Sequence, residues 1–189
     1  MFKSKYSKKL SREINSVGVL RQEEIRKENT VVVNFGYSEA LFNKLEDKTL
    51  LESAINVNEL LIEYKKIFFL DEKHKDSKII KGFDKFKDEK AILIPKNSSN
   101  GFISPGFSKW LELNKNDIRN YILTGVYADI DILQFALTLK SFFDEWNAPC
   151  EIIIPIKAVE TSREEDKELK VNTLYILKNN GITLISDIK

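Results

Sequence analysis

Residues Tyr121 to Lys140 constrain the fold of this chain more than any other stretch. The segment begins with Tyr121–Thr124, whose apolar and β-branched side chains are typical of a buried strand. Gly125 follows as a turn residue, and the next apolar side chains recur at largely helical spacing. A strand, a glycine turn and an amphipathic helix in this order predict part of an α/β fold with a parallel sheet.

The same turn predicts where chemistry would take place. A helix N-terminus presents free backbone N–H groups and the positive end of the helix dipole. In α/β proteins, reactive or anion-binding groups lie at such turns. Asp129 and Asp131 occupy this turn, so the group offered there is a carboxylate.

Short apolar runs alternate with helical patterns along the rest of the chain. Pro95 and Pro155 are expected to end the third and fifth strands. The alternation predicts an α/β, three-layer, Rossmann-like open sheet of about six mainly parallel strands with helices on both faces. The predicted strands are Thr30–Phe35, Ile67–Leu70, Ala91–Ile94, Tyr121–Thr124, Glu151–Ile154 and Ile182–Ile185.

Three local patterns predict helix ends. Ser104 before Pro105 indicates an N-cap followed by proline at the first helical position. Ser162 with Glu165 forms a capping-box pattern. Gly181 is expected at the C-cap of the last helix.

The start of the chain differs in composition from the rest. Five basic residues and no acidic residue occur among residues 3–12. We therefore expect a basic N-terminal extension over residues 1–29, either solvated or packed as a helix, and an α/β domain over residues 30–189. An arm that binds nucleic acid or a partner is the alternative, which the scarcity of interleaved aromatic residues does not favour.

Charge and cysteine content narrow the class of protein. The 30 basic and 29 acidic residues nearly balance, so no overall field favours nucleic acid or a membrane surface. No apolar run approaches the roughly 20 residues of a spanning helix. The single cysteine, Cys150, cannot form a disulfide within the chain, which fits a reducing compartment, and we expect a cytoplasmic protein.

The carboxyl ends of the predicted strands indicate the candidate site residues. Ligands of open α/β sheets bind outside these ends. The candidates are Asn34, Phe35 and Gly36 after the first strand, Asp71 and His74 after the second, Lys96 after the third, and Gly125 to Asp131 after the fourth.

Three stretches resemble the isochorismatase-like cysteine hydrolases, which include nicotinamidases and isochorismatases. LTGVYADIDILQFALTLKSFF resembles the strand, glycine turn and nucleophile helix of that family. IPKNSSNGFISPGFSKWL resembles its lysine loop, and AVETSREEDKELKVNTLYILKNNGITLISDI resembles its closing helix and strand. TVVVNFGYSEALF is a weaker match to its first strand. The resemblance covers most of residues 30 to 187.

The resemblance implies a three-residue catalytic site. Active members place an aspartate after the first strand, a lysine after the third, and a cysteine on the helix after the fourth. The helix dipole and the lysine stabilise a thiolate that attacks an amide or nitrile carbon, while the aspartate handles the thiol proton. Isochorismatases of the family lack the cysteine and use the aspartate as an acid in vinyl-ether cleavage.

Carried onto this sequence, the triad-equivalent positions are Asn34, Lys96 and Asp131. Asparagine cannot exchange a proton at neutral pH, and a carboxylate is a far weaker nucleophile than a thiolate. Cys150 comes about a whole helix later and cannot substitute. We therefore predict a degenerate, catalytically impaired site that binds a small planar ligand or a partner.

An active hydrolase is the alternative to this prediction. Lys96 and Asp131 would then form a relocated acid–base pair that acts on an amide or vinyl ether. The helix dipole is expected to favour the ionised form of Asp131, which argues against a general-acid role.

The resemblance also implies secondary features. The turn Gly125, Val126 and Tyr127 matches one that supplies an oxyanion-binding backbone through a cis peptide. Asp71 and His74 resemble metal ligands of nicotinamidases, but the spacing is one residue longer and no second histidine exists, so we predict no metal and no other cofactor. Family members commonly form homo-oligomers, which we expect here.

Four aromatic residues are candidates to line a pocket, although aromatics at these spacings more often build core or a subunit contact. They are Tyr37, Phe102, Phe107 and Trp110.

Overall fold

Six parallel strands form one open sheet in a computed structural model, which describes residues 5–39, 49–71, 79–80, 82–86, 91–163 and 166–189. Their order across the sheet is β3-β2-β1-β4-β5-β6, which is the doubly wound order with its switch point between β1 and β4. The predicted fold class is confirmed. The strands are β1 (Thr30–Phe35), β2 (Lys65–Asp71), β3 (Ala91–Lys96), β4 (Asn120–Gly125), β5 (Glu151–Pro155) and β6 (Thr183–Ile185).

Helices cover both faces of this sheet. The α-helices of the described residues are α1 (Lys5–Asn15), α2 (Thr49–Leu60), α3 (Pro105–Asn114), α4 (Leu133–Glu145) and α5 (Lys167–Asn179). A π-helical turn, Ala128–Ile132, leads into α4. Short 3-10 turns lie at Gln22–Glu24, Lys27–Asn29, Asp84–Phe86, Gly101–Ile103 and Ile156–Ala158. None of the helices described is long and apolar enough to cross a lipid bilayer.

The sheet separates two apolar clusters. One cluster packs under α1, α3, α4 and α5, on what we call the α4 face; the other packs under α2, on the α2 face. Alternate strand residues point to opposite faces, so Val31, Val33 and Phe35 lie on the α4 face and Val32 on the α2 face. All six residues of β1 are buried, as expected for a central strand covered on both sides.

Residues 5–29 pack onto the C-terminal part of the chain. Leu10 and Ile14 of α1 are buried, and α1 contacts α5. Glu13 lies 2.8 Å from Lys178 in an ion pair. Leu20 forms a parallel bridge with Ile188. The domain boundary after residue 29 stays a prediction.

Proline does not end β3, contrary to the prediction. The strand continues through Pro95 to Lys96. Because β3 is an edge strand, the missing N–H of Pro95 need not interrupt a ladder. This extension places Lys96 within the strand, where its side-chain direction is set by alternation with Ile94. At β5, Pro155 is itself the last strand residue.

Two of the three predicted helix ends are confirmed. Ser104 accepts a hydrogen bond from the N–H of Phe107 at 3.3 Å, with Pro105 first in α3. Gly181 follows the end of α5 with φ +80°, in the left-handed region typical of this position. The Ser162 cap is wrong: Asp166 caps α5 by accepting from Leu169 N–H at 3.0 Å, and Glu165 lies outside the described residues.

Gly125 allows β1 and β4 to meet at the switch point. Its φ is +133°, and a Cβ there would lie 2.1 Å from the carbonyl oxygen of Phe35. Gly125→Ala is expected to lower the free energy of unfolding by about 3 kcal/mol or more, because backbone strain and overpacking each cost about 1–3 kcal/mol.

Urea unfolding measures this loss beside a matched control. A Cβ at Gly18 would have nothing within 4 Å. Gly18→Ala should therefore change the free energy of unfolding by no more than about 0.5 kcal/mol. Equal stability of the two variants would contradict the close approach at Gly125.

Candidate functional site

Lys96 and Asp131 form a buried ion pair at the carboxyl edge of the sheet. Lys96 Nζ lies 2.8 Å from Asp131 Oδ2, and the two side chains are 5% and 6% exposed. Lys96 is the last residue of β3, and Asp131 lies in the π-helical turn between β4 and α4. The structure thus brings together two of the three predicted triad-equivalent residues.

Strand alternation and main-chain contacts orient the pair. Lys96 points to the same side of β3 as Ile94, which belongs to the α4-face cluster. Its Nζ also lies 3.4 Å from the carbonyl oxygen of Ser98. The N–H of Asp131 donates to the Tyr127 carbonyl at 2.7 Å. Both side chains therefore meet beneath the helix that follows β4.

Asn34 lies on the other face of the sheet. Its Oδ1 accepts hydrogen bonds from Asn58 Nδ2 at 2.9 Å and from Thr124 Oγ1 at 2.8 Å, and the residue is 1% exposed. It shares the α2 face with Val32. The structure does not bring Asn34 to Lys96 and Asp131, because alternation along β1 directs its side chain away from them.

Phe35 is the residue that β1 presents at this end of the α4 face. Its ring stacks on Phe69, with centroids 5.0 Å apart, and meets Phe135 edge-on at 5.2 Å. An acidic side chain at the end of β1 would have to point in this same direction to reach Lys96, and the aromatic contacts of Phe35 are found there instead. Because Val31, Val32 and Val33 are all apolar, the sequence contained no alternation that could have identified the face on which Phe35 lies.

The turn after β4 is held by backbone hydrogen bonds. The carbonyl of Gly125 accepts from Glu160 N–H at 3.0 Å, and Ala128 N–H donates to the carbonyl of Glu160 at 2.8 Å. Val126 N–H donates to Phe35 at 3.2 Å. Tyr127 is left-handed, with φ 61°, and its peptide bond with Val126 is trans. The cis peptide implied by the resemblance is therefore not found.

Asp129 ties this turn to the loop before α5. Its Oδ1 accepts from the N–H of Ser162 at 2.7 Å and its Oδ2 from Ser162 Oγ at 2.6 Å. This contact takes the place of the helix-capping role predicted for Ser162. Asp129 thus helps to position the turn that carries Asp131.

Burial raises the pKa of Asp131, because desolvation disfavours the carboxylate. Lys96 acts in the opposite direction by attraction and hydrogen bonding, whereas Asp71 and Asp129 add repulsion to the effect of burial. The direction is opposite to the one expected from the helix dipole, which desolvation outweighs. The stability that this shift contributes is present below the unfolded-state pKa and is lost as the pH rises through the folded-state pKa.

Asp71 is a neighbour of the pair that the predicted triad omitted. It ends β2, and the β2–β3 register places it opposite Lys96. Its position at the end of a strand was visible in the sequence, but the adjacency of β2 and β3 was not. Asp71 adds a third charge to this edge.

The four aromatic candidates do not surround one ligand. Phe107 and Trp110 stack in the α4-face core with centroids 5.7 Å apart, and Phe102 packs on Phe107 at 5.7 Å. Tyr37 is on the α2 face, stacked on Phe83 at 4.1 Å. The sheet separates Tyr37 from the other three.

Cys150 lies directly before the start of β5, at the amino ends of the strands, whereas Lys96 and Asp131 lie at the carboxyl ends. Burial raises the pKa of its thiol to about 12, so the thiol is protonated at neutral pH. Within the described ranges, no group of three His, Cys, Asp or Glu residues is placed to hold a metal ion, and His74 falls outside those ranges.

A double-mutant cycle with Lys96→Met and Asp131→Asn measures the coupling within the pair. Each single variant leaves a buried polar group without its partner, so each should lower the free energy of unfolding by about 3–5 kcal/mol. The double variant should lose less than the sum, with a coupling of about 2 kcal/mol or more.

The exposed ion pair of Lys27 and Glu63 provides the control. Its atoms are 2.9 Å apart, but its side chains are 50% and 62% exposed. The same cycle with Lys27→Met and Glu63→Gln should give about 1 kcal/mol or less. Additive losses at Lys96 and Asp131 would show that the two do not form a buried pair.

Solved structures share this architecture at low sequence identity. The nicotinamidase SaPncA from Staphylococcus aureus matches with a TM-score of 0.63 and 17% identity, over 83% of this chain and 99% of that one. MAR1 ribonuclease from Caenorhabditis elegans matches with a TM-score of 0.67 and 13% identity, over 86% and 79%. The YcaC gene product from Escherichia coli, an octameric hydrolase of unknown specificity, matches with a TM-score of 0.67 and 15% identity, over 86% and 77%.

No protein-family model and no curated protein sequence matches the chain. The structural likeness therefore concerns the fold, and it agrees with the resemblance noted in the sequence. Nicotinamidases and YcaC are isochorismatase-like cysteine hydrolases. The chain has the fold of the isochorismatase-like cysteine hydrolases and diverges widely from these structures in sequence.

Proposed function

We propose that this protein is a catalytically impaired form of the hydrolase fold that acts by binding a small planar ligand or a protein partner. The observation that carries the proposal is the ion pair of Lys96 and Asp131, at the turn where the resemblance implies a thiol. A carboxylate 2.8 Å from an ammonium group and 6% exposed has a neutralised charge and little access to substrate. It is a poor nucleophile for an amide carbon.

Two further features support this proposal. Phe35, packed against Phe69 and Phe135, takes the direction that an acid on β1 would need. Cys150, with its protonated thiol, precedes β5 at the amino ends of the strands. The described residues around Lys96 therefore offer neither a thiolate nor an acid from β1.

A second candidate function is hydrolysis of an amide or a vinyl ether by Asp131 and Lys96. The raised pKa of Asp131 favours it, because a carboxyl group whose pKa moves toward the working pH is a better acid–base catalyst. Such a reaction requires the ion pair to open to substrate, and the low exposure of both side chains argues against that.

We further propose that the protein self-associates and works in the cytoplasm. The octameric state of Escherichia coli YcaC supports self-association. Leu113 and Trp146 are 74% and 66% exposed, and a subunit contact would remove this apolar surface from water. The near balance of charge supports neither a membrane surface nor nucleic acid as partner.

Turnover measurements distinguish the two functions. Nicotinamide and isochorismate are incubated with the wild type, Lys96→Met, Asp131→Asn and the exposed-lysine control Lys27→Met, each checked for folding by circular dichroism. We expect rates equal to buffer in every case, because Asp131 is buried in its ion pair with Lys96 and the described residues around Lys96 include no thiolate. A wild-type rate above buffer that falls by about tenfold or more in the two site variants alone would establish the second candidate instead.

A further inference from the structure

A cavity of about 660 Å³ lies between α1, α2 and α5, next to the carboxyl end of β5. Its volume is within the range of about 300–1,000 Å³ that is typical of small-molecule sites. It shares no lining residue with the ion pair of Lys96 and Asp131. The cavity is therefore a separate site from that ion pair.

The floor of the cavity is apolar. Three of the lining side chains, Ile14, Leu50 and Leu174, are almost fully buried, and they come from three different helices. Ile156 and Val171 complete this floor and are half-buried. Such a surface favours an alkyl chain or another apolar body over water.

The charged lining is mostly basic. Lys157, Lys167 and Lys170 line the cavity with Glu160 as the one acid among the described lining residues. Glu160 is already paired with Lys170, at 2.9 Å. Lys157 is 60% exposed and lies 3.5 Å from Asp187, outside the lining. Lys157 and Lys167 are both exposed, so their side chains have room to turn toward an anion at the mouth.

The start of α5 adds to this positive potential. Lys167 is the first residue of α5, a helix of 13 residues. The positive end of its dipole adjoins the basic side chains, and the carboxylates of Asp166, which caps the helix, and Glu168 in its first turn offset part of this potential. An apolar floor beside a cationic rim is complementary to a molecule with an apolar chain and an anionic head.

We propose that this cavity binds an anionic amphiphile, with its chain against Leu50 and Leu174 and its head group at Lys157 and Lys167. Neither a neutral alcohol nor a cationic amphiphile of the same chain length satisfies both parts of the lining. Glu160 links the cavity to the turn after β4, because its main chain bonds to Gly125 and Ala128. A ligand here would therefore lie beside the turn that carries Asp131.

Calorimetric titration of the full chain with decanoate tests the proposal. We expect saturable binding of one decanoate per chain with a Kd below about 100 µM. Binding of 1-decanol should be weaker by about tenfold or more, and decyltrimethylammonium should not bind. Decyl phosphate should bind like decanoate, since the two share the anionic head; weaker binding of the phosphate would assign the site to carboxylates.

Two pairs of variants locate the binding site. Val171→Trp fills the cavity and should weaken decanoate binding by about tenfold or more, whereas Ile176→Trp, at a position of α5 that is 44% exposed, should bind like the wild type. Lys157→Glu combined with Lys167→Glu should weaken decanoate but not decanol. Thermal melting confirms that each variant is folded.

Several results would overturn this inference. The first is a lack of saturable decanoate binding up to about 1 mM. The second is an affinity for decanol equal to that for decanoate, and the third is a folded Val171→Trp variant that binds decanoate as tightly as the wild type. Lys96→Met should leave decanoate binding unchanged, so failure here is distinguishable from failure of the proposed function.

Discussion

The buried contact between Lys96 and Asp131 is the interaction on which the account of this site depends. Removing two charges from water is costly, and only close pairing with further polar contacts offsets that cost. The 2.8 Å separation and the carbonyl of Ser98 beside the ammonium supply both. The same contact neutralises and covers the carboxylate in the turn after β4, where the resemblance implies a thiol, so it links the packing of this edge to the proposed loss of catalysis.

The pair forms because several segments that are distant in the sequence together fix the positions of Lys96 and Asp131. Pro95 is tolerated in β3 since that strand is at the edge of the sheet, and this keeps Lys96 in register with Asp71. Gly125 lets β4 approach β1, and Glu160 holds the next residues of the turn through its main chain. Asp129 adds a second tie through Ser162. The turn that positions Asp131 is therefore held by hydrogen bonds to both Glu160 and Ser162.

The fold could be predicted from sequence because β-branched runs and helical spacing are strong local signals. Lys96 and Asp131 belong to the residues that come after predicted strands, and the resemblance to the hydrolase family singled them out among these. The direction of Asn34 was not predictable, because every residue of β1 is buried and no polar alternation marks either face. Its partner Asn58 comes from α2, which only the tertiary structure brings near.

The upward shift in the pKa of Asp131 illustrates a second limit of prediction from the sequence. The helix dipole is a local property and can be anticipated, whereas desolvation depends on side chains that arrive from other elements. Ser162 shows the same limit, because its hydrogen-bond partner Asp129 lies in a different connection, the π-helical turn between β4 and α4. Local patterns thus predicted that Lys96 and Asp131 come after strands, whereas long-range packing determines their contacts and the direction of the Asp131 pKa shift.

The pKa of the Asp131 carboxyl group, followed by carbon-13 NMR during a pH titration, tests the central claim most directly. A buried pair predicts a value above the ordinary aspartate pKa of about 3.9 in the wild type and a further rise in Lys96→Met, where the attraction of the ammonium is lost. A value at or below the ordinary pKa that does not change in Lys96→Met would contradict the account.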